Sequence, residues 1–97
     1  MPITMCKEMK KLRKYLTDNR IEWHDDTTIT ATWWMVRTKY EYKGRHYSVI
    51  NGYGSFGGYT SFTKKNLGKL ELIIDGEEPI GYLNADDVIE IMNEMDN

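Results

Sequence analysis

Lys43-Gly44 separates two runs of β-branched and aromatic residues, Thr28 to Tyr42 and Arg45 to Asn51. A two-residue reversal between such runs commits a chain to an antiparallel hairpin, because turns with positive φ match the twist of the flanking strands and glycine supplies one such position without steric cost. So short a turn also sets the register: Glu41 stands opposite His46, Tyr40 opposite Tyr47, and Thr38 opposite Val49. Side chains alternate between the faces of a strand. Trp34, Val36, Tyr40, Tyr47 and Val49 therefore line an apolar face, while Arg37, Lys39, Glu41, His46 and Ser48 line a wetter one. The first run changes parity partway, with Ile29, Ala31, Trp33 and Met35 out of step with Trp34, Val36, Tyr40 and Tyr42. Adjacent tryptophans at the changeover predict a bulge, or a strand covered on both faces, with Trp34 in the core and Trp33 partly exposed.

Helical spacing brackets this hairpin. Met5, Met9, Leu12 and Leu16 predict an amphipathic helix over residues 4 to 18, capped by Thr4 and stopped at Asp18-Asn19. Its polar side is a stripe of Lys7, Lys10, Lys11 and Lys14. Ile21 to Trp23 reads as a short strand, and His24-Asp25-Asp26 as a turn. Thr60 to Lys69 has no period and reads as a connection; Leu70 to Ile74 is a strand turned at Asp75-Gly76, and Ile80 to Tyr82 is a brief extended piece. Asn84 and Asp87 have the spacing of a capping box, Leu83 and Val88 that of a hydrophobic staple, ahead of a helix whose stripe is Val88, Ile91, Met92 and Met95. The expected class is α+β: a mainly antiparallel sheet of four or five strands with an N-terminal and a C-terminal helix, forming one domain over residues 1–97.

Ninety-seven residues with 12% aromatics can bury a core without a metal or a disulfide, and Cys6, the one cysteine, suits a reducing cytoplasm. The sequence has neither an 18-residue apolar run nor a signal-like N-terminus, so no membrane partner is expected. The net charge of −2 hides a split: residues 1–70 hold all 13 Lys and Arg with six acids, and residues 71–97 hold nine acids and no base. A basic face for nucleic acid, an acidic face for a basic protein groove, a self-complementary homodimer, or two ends that neutralise each other all fit this pattern.

From Asn51 to Tyr59 the chain reads Asn-Gly-Tyr-Gly-Ser-Phe-Gly-Gly-Tyr. Glycine allows close backbone approach and aromatics supply contact area with few rotors to freeze, so a recognition loop and a structural loop both fit. Gly52, Gly54 and Gly57 spell G-x-G-x-x-G, but no helical period follows the third glycine, which argues against a dinucleotide fold. The candidate binding residues are Trp33, Arg37, Tyr53, Gly54, Phe56, Gly57, Gly58 and Tyr59. A secondary charged surface comprises Asp86, Asp87, Glu90 and Glu94. His24 with Asp25 and Asp26 are adjacent on a turn and do not converge as metal ligands, and His46 is better placed as a cross-strand partner of Glu41. Ser48 beside His46 has no evident oxyanion hole, so neither catalysis nor a cofactor is expected.

The stretch Trp33-Trp34 and then Tyr47 to Tyr59 resembles small uncharacterised proteins encoded by phages and mobile elements of Gram-positive bacteria. The resemblance extends to the opening helix, Ile21-Glu22-Trp23, Leu70-Glu71-Leu72 and Glu78 to Leu83. It implies a setting, the cytoplasm of a bacterial host, rather than a mechanism. Accessory proteins in that setting often inhibit host defence, either by binding an effector protein or by sequestering its nucleotide signal. In the first case the acidic last helix would imitate phosphates; in the second, aromatics would stack a base while Arg37, Lys39 or Arg45 held phosphate. The competing reading is a small single-stranded nucleic-acid-binding protein that uses the lysine stripe and exposed aromatics.

Overall fold

A computed structural model describes residues 5–59 and 65–94. Two helices and six antiparallel strands follow one another as α1 (Lys7–Asp18), β1 (Trp23–Asp25), β2 (Thr28–Ile29), β3 (Trp34–Tyr42), β4 (Arg45–Gly52), β5 (Leu70–Ile74), β6 (Ile80–Leu83) and α2 (Ala85–Glu94). The sheet order is β1-β3-β4-β5-β6, with β2 pairing β3 beyond the end of β1. This is the α+β arrangement that the hairpin and the two amphipathic segments predict.

The hairpin has the expected register, with Thr38, Tyr40 and Glu41 opposite Val49, Tyr47 and His46. Lys43 and Gly44 take φ of 50° and 81°, the turn geometry that the strand twist requires. Tyr40 and Tyr47 stack with ring centroids 5.1 Å apart. Both helices lie on the apolar face, where Met9, Leu12 and Leu16 of α1 and Ala85, Val88 and Met92 of α2 meet Val36, Tyr40, Tyr47, Val49, Leu70, Leu72 and Ile74. Trp34 packs partly buried against this core. Tyr40 Oη–H donates to Met92 Sδ at 3.1 Å, and burial pushes its phenol up, so it stays protonated.

Four local expectations are corrected. The parity change in 28–42 is neither a bulge nor a doubly covered strand: the chain reverses at residues 30–33, where Thr30 N–H donates to Trp33 O at 2.7 Å and Trp33 N–H to Thr30 Oγ1 at 2.9 Å. Ile29 then pairs back onto Trp34. The first strand covers Trp23–Asp25 and includes residues expected to turn. It starts no earlier because Ile21 N–H is committed to Leu16 O at 2.8 Å, closing α1. That closure puts the left-handed residue at Arg20 (φ 58°), one position beyond Asn19. Cys6, not Thr4, occupies the N-cap of α1, and Thr4, like Met95, lies outside the described residues. Burial pushes the Cys6 thiol up, as suits a packing role. The capping box of α2 forms as expected, with Asn84 N–H to Asp87 Oδ2 at 3.0 Å and Asp87 N–H to Asn84 Oδ1 at 2.9 Å.

Nothing in the helical spacing singles out Arg13. It sits on the sheet-facing side of α1, 8% exposed, where its Nε–H donates to Thr38 Oγ1 at 2.7 Å. One terminal nitrogen reaches both Asp25 Oδ1 and Arg37 O at 3.2 Å, and the guanidinium lies over the Trp23 ring at 4.7 Å. One side chain thus ties α1 to β1 and β3. The Thr27 hydroxyl, and behind it the Arg13 guanidinium, hold the Asp25 carboxyl below the ordinary carboxylate range despite the opposing effect of burial. A depressed carboxylate stabilises the fold above its unfolded pKa, and that contribution disappears as pH falls through the folded value. We therefore expect the urea midpoint to fall on acidification below about pH 4, and less steeply in Asp25→Asn; equal slopes in both proteins would contradict this.

Candidate functional site

The loop after β4 is stitched into the sheet by its own backbone. Tyr53 N–H donates to Trp34 O at 2.9 Å, extending the β3–β4 ladder by one rung. Gly54 N–H donates to Tyr59 O at 2.7 Å, Tyr59 N–H to Gly52 O at 3.0 Å, and Gly58 N–H to Ser55 O at 3.0 Å. Ser55 is buried, its Oγ accepting from Gly52 N–H and donating to Gly52 O, both at 3.0 Å. The apex bends over the face that carries no helix, where Phe56 N–H donates to the buried Glu71 carboxylate at 2.7 Å. Two flanking segments complete the frame: Lys69 N–H donates to Gly57 O at 2.9 Å and Tyr82 N–H to Phe56 O at 3.2 Å. Asn51 and Asn66 bond reciprocally through their side chains at 3.0 and 2.7 Å, which pins the strand before the loop to the segment after it.

The glycines explain themselves sterically. A Cβ on Gly58 would lie 2.1 Å from Ser55 Oγ and 2.4 Å from Gly52 O, and one on Gly57, which has φ 98°, would lie 2.6 Å from Lys69 Cβ. Both are buried, so they shape the loop rather than touch a ligand. Gly54 is exposed.

The aromatics part company. Tyr53 and Tyr59 are half-buried, their ring centroids 5.3 Å apart, whereas Phe56 is 53% exposed and packs its Cβ over Gly81. Beside it, β6 carries a bulge between its pairings to Leu70 and Leu72, and Tyr82, at φ 59°, is 63% exposed. Phe56, Leu67, Ile80 and Tyr82 are four of the five exposed large apolar side chains among the described residues, and all belong to the loop or to the two segments bonded to it. Tyr82 and Ile80 escaped the sequence reading because one bulge separates them from the strand alternation that would have placed them.

The remaining candidates are dispersed. Trp33 is half-buried in the 30–33 reversal. Arg37, on the helix-free face, reaches Asp26 at 3.4 Å and Met35 Sδ at 3.4 Å, and its buried Nε finds no acceptor among the described residues. Asp87 is occupied as a cap, and Asp86 pairs with Lys11 at 3.2 Å. Glu90 and Glu94 are exposed on α2. His46 Nδ1 stands 4.0 Å from Glu41, the cross-strand pair expected of it. Among the described residues no group of three or more His, Cys, Asp or Glu is placed to hold a metal ion. Two depressions of about 420 and 270 Å³ lie toward the hairpin tip, sharing His24 and Glu41 and including no residue of the glycine loop. No helix of the described residues is long and apolar enough to cross a membrane. Comparison with protein-family models, with curated proteins and with solved structures found no match to this chain.

Proposed function

We propose that this chain is a non-enzymatic accessory protein of a phage or mobile element, working in the cytoplasm of a bacterial host by binding and blocking a defence effector protein. The observation that carries the binding half of this reading is that exposed Phe56, Leu67 and Tyr82 all sit on one hydrogen-bonded loop or on residues whose backbone bonds to it. Rigid aromatics lose little conformational entropy on docking, and exposed apolar groups gathered in one place mark interaction surfaces. Exposed aromatic anchors of this kind suit a protein partner, since such rings dominate the energetics of protein interfaces. Arg37, the candidate phosphate ligand, is also already engaged with Asp26. The setting rests on the resemblance of Trp33-Trp34 and Tyr47 to Tyr59 to phage and mobile-element proteins.

The test is phage plating on strains that each carry one defined defence system, with and without the expressed chain. Wild type restores plating on at least one strain. Phe56→Ala, which keeps the Cβ over Gly81, loses the rescue, since an aromatic anchor is worth about 2 kcal/mol or roughly 30-fold in affinity. No rescue on any strain, or full rescue by Phe56→Ala at equal protein level, overturns the reading.

A further inference from the structure

On the helix-covered face, the sheet continues past the point where the helices begin. Both start at the same end: Ala85 N–H donates to Glu8 Oε1 at 2.7 Å, Lys11 pairs with Asp86, and Thr38 Oγ1–H donates to Met9 Sδ at 3.2 Å, which sets the opening turn of α1 over the middle of β3. Beyond that turn the ladder runs on through Ile29 opposite Trp34, Tyr53 bonded to Trp34 O, and Tyr53 bridged to Tyr59. Directly opposed residues share a face, so Ile29, Trp34, Tyr53 and Tyr59 form one row across this end of the sheet, on the side opposite the loop apex. Ile29 is 64% exposed, the three rings are each half-buried, and Tyr53 and Tyr59 stand 5.3 Å apart at a tilt of 38°. A ring supported by neighbours on one side and open on the other is what base stacking requires. On the first turns of α1, at the same end, Lys7 and Lys10 are exposed.

We propose that this row and these two lysines form a binding surface for single-stranded nucleic acid, separate from the surface around Phe56. Bases stack on Tyr53 and Tyr59, and the ammonium groups of Lys7 and Lys10 neutralise phosphates. Stacking is tolerant of base identity and lysine is a point charge without a bidentate fork, so the surface selects unpaired strands rather than a sequence. Duplex DNA, whose bases already stack on each other, gains only the lysine contacts.

Fluorescence anisotropy of a labelled 15-nucleotide oligo-dT strand, titrated with the whole chain, tests this. At low salt the strand binds, and a fourfold rise in salt weakens it about sevenfold, as two neutralised phosphates require. Tyr59→Ala weakens binding about tenfold or more, whereas Tyr59→Phe, which keeps the ring, and Phe56→Ala, on the other side of the sheet, leave it unchanged. Lys7→Gln with Lys10→Gln, both at exposed positions and so neutral to folding, weakens binding and flattens the salt dependence. Absence of binding at low salt overturns the proposal. Equal affinity for duplex DNA, or indifference to both the ring and the lysine variants, overturns it too.

Discussion

Gly58→Ala lowers the stability of the domain by about 3 kcal/mol or more, and the melting temperature by well over 10 °C for a chain of this size. The new methyl group would sit 2.1 Å from Ser55 Oγ, 2.4 Å from Gly52 O and 2.9 Å from Gly52 N. Two of those three atoms are backbone, which cannot step aside as a flexible side-chain end can. Relief requires breaking the Ser55–Gly52 bonds and the Tyr59–Gly52 bond, and these hold the loop to the end of β4. Gly54→Ala is the control. Gly54 has φ 80°, yet nothing lies within 4 Å of its added Cβ, so the cost is left-handed strain alone, about 1–2 kcal/mol. Thermal melts of the two variants check the ordering. If Gly58→Ala melts no lower than Gly54→Ala, the loop is looser than its hydrogen bonds imply.

Arg13→Ala destabilises the chain by about 2 kcal/mol, in the range for losing hydrogen bonds made by a buried charged group. The loss has three parts. Arg37 O is left without the guanidinium donor, Thr38 Oγ1 loses its 2.7 Å donor while keeping its contact with Met9 Sδ, and the Trp23 ring loses the cation stacked on it. Asp25, by contrast, is 53% exposed as a side chain, so Asp25→Asn costs little, and what it costs at neutral pH fades in acid as the wild-type carboxylate is protonated. Arg13→Lys does not rescue, because an ammonium cannot spread donors over Thr38, Asp25 and Arg37 as the planar fork does. Equilibrium urea unfolding of the three variants measures this directly. A Lys variant as stable as wild type would mean that the charge, not the fork, is what the site needs.

Much of the sheet was legible because short-range rules determine it. A two-residue turn fixes register by counting, and Tyr40 opposite Tyr47 needs nothing beyond that count. The capping box at Asn84 and Asp87 is equally local. The misreadings arose where one stretch of chain had two continuations of similar local preference. Thr28 to Tyr42 is rich in strand formers throughout, and the reversal at Thr30–Trp33 is set by β2 pairing back onto Met35 and Trp34 rather than by a glycine or proline. Asn19 and Arg20 compete for the left-handed position, and Ile21 N–H reaching Leu16 O decides between them.

The candidate surface was legible only as a composition. Alternating glycine and aromatic residues announced a tight loop rich in contact area, but neither spacing nor propensity says which side of a sheet a ring will occupy. The loop divides its rings between opposite sides, with Phe56 over the bulge in β6 and Tyr53 and Tyr59 in line with Trp34. It recruits Tyr82 from more than twenty residues away. The charge split was equally ambiguous as a string: Lys11 with Asp86 and Glu8 with the start of α2 show the two ends meeting directly along the helix pair.

Taken alone, the order of residues determined the elements, the hairpin register and the apolar face, since each depends on neighbours a few positions apart along the chain. Only the folded arrangement decided that Arg13 turns inward, that Gly57 and Gly58 serve packing, and which aromatics meet solvent together. Those outcomes depend on atoms that approach from distant segments, and their cost or benefit does not exist until the segments have met.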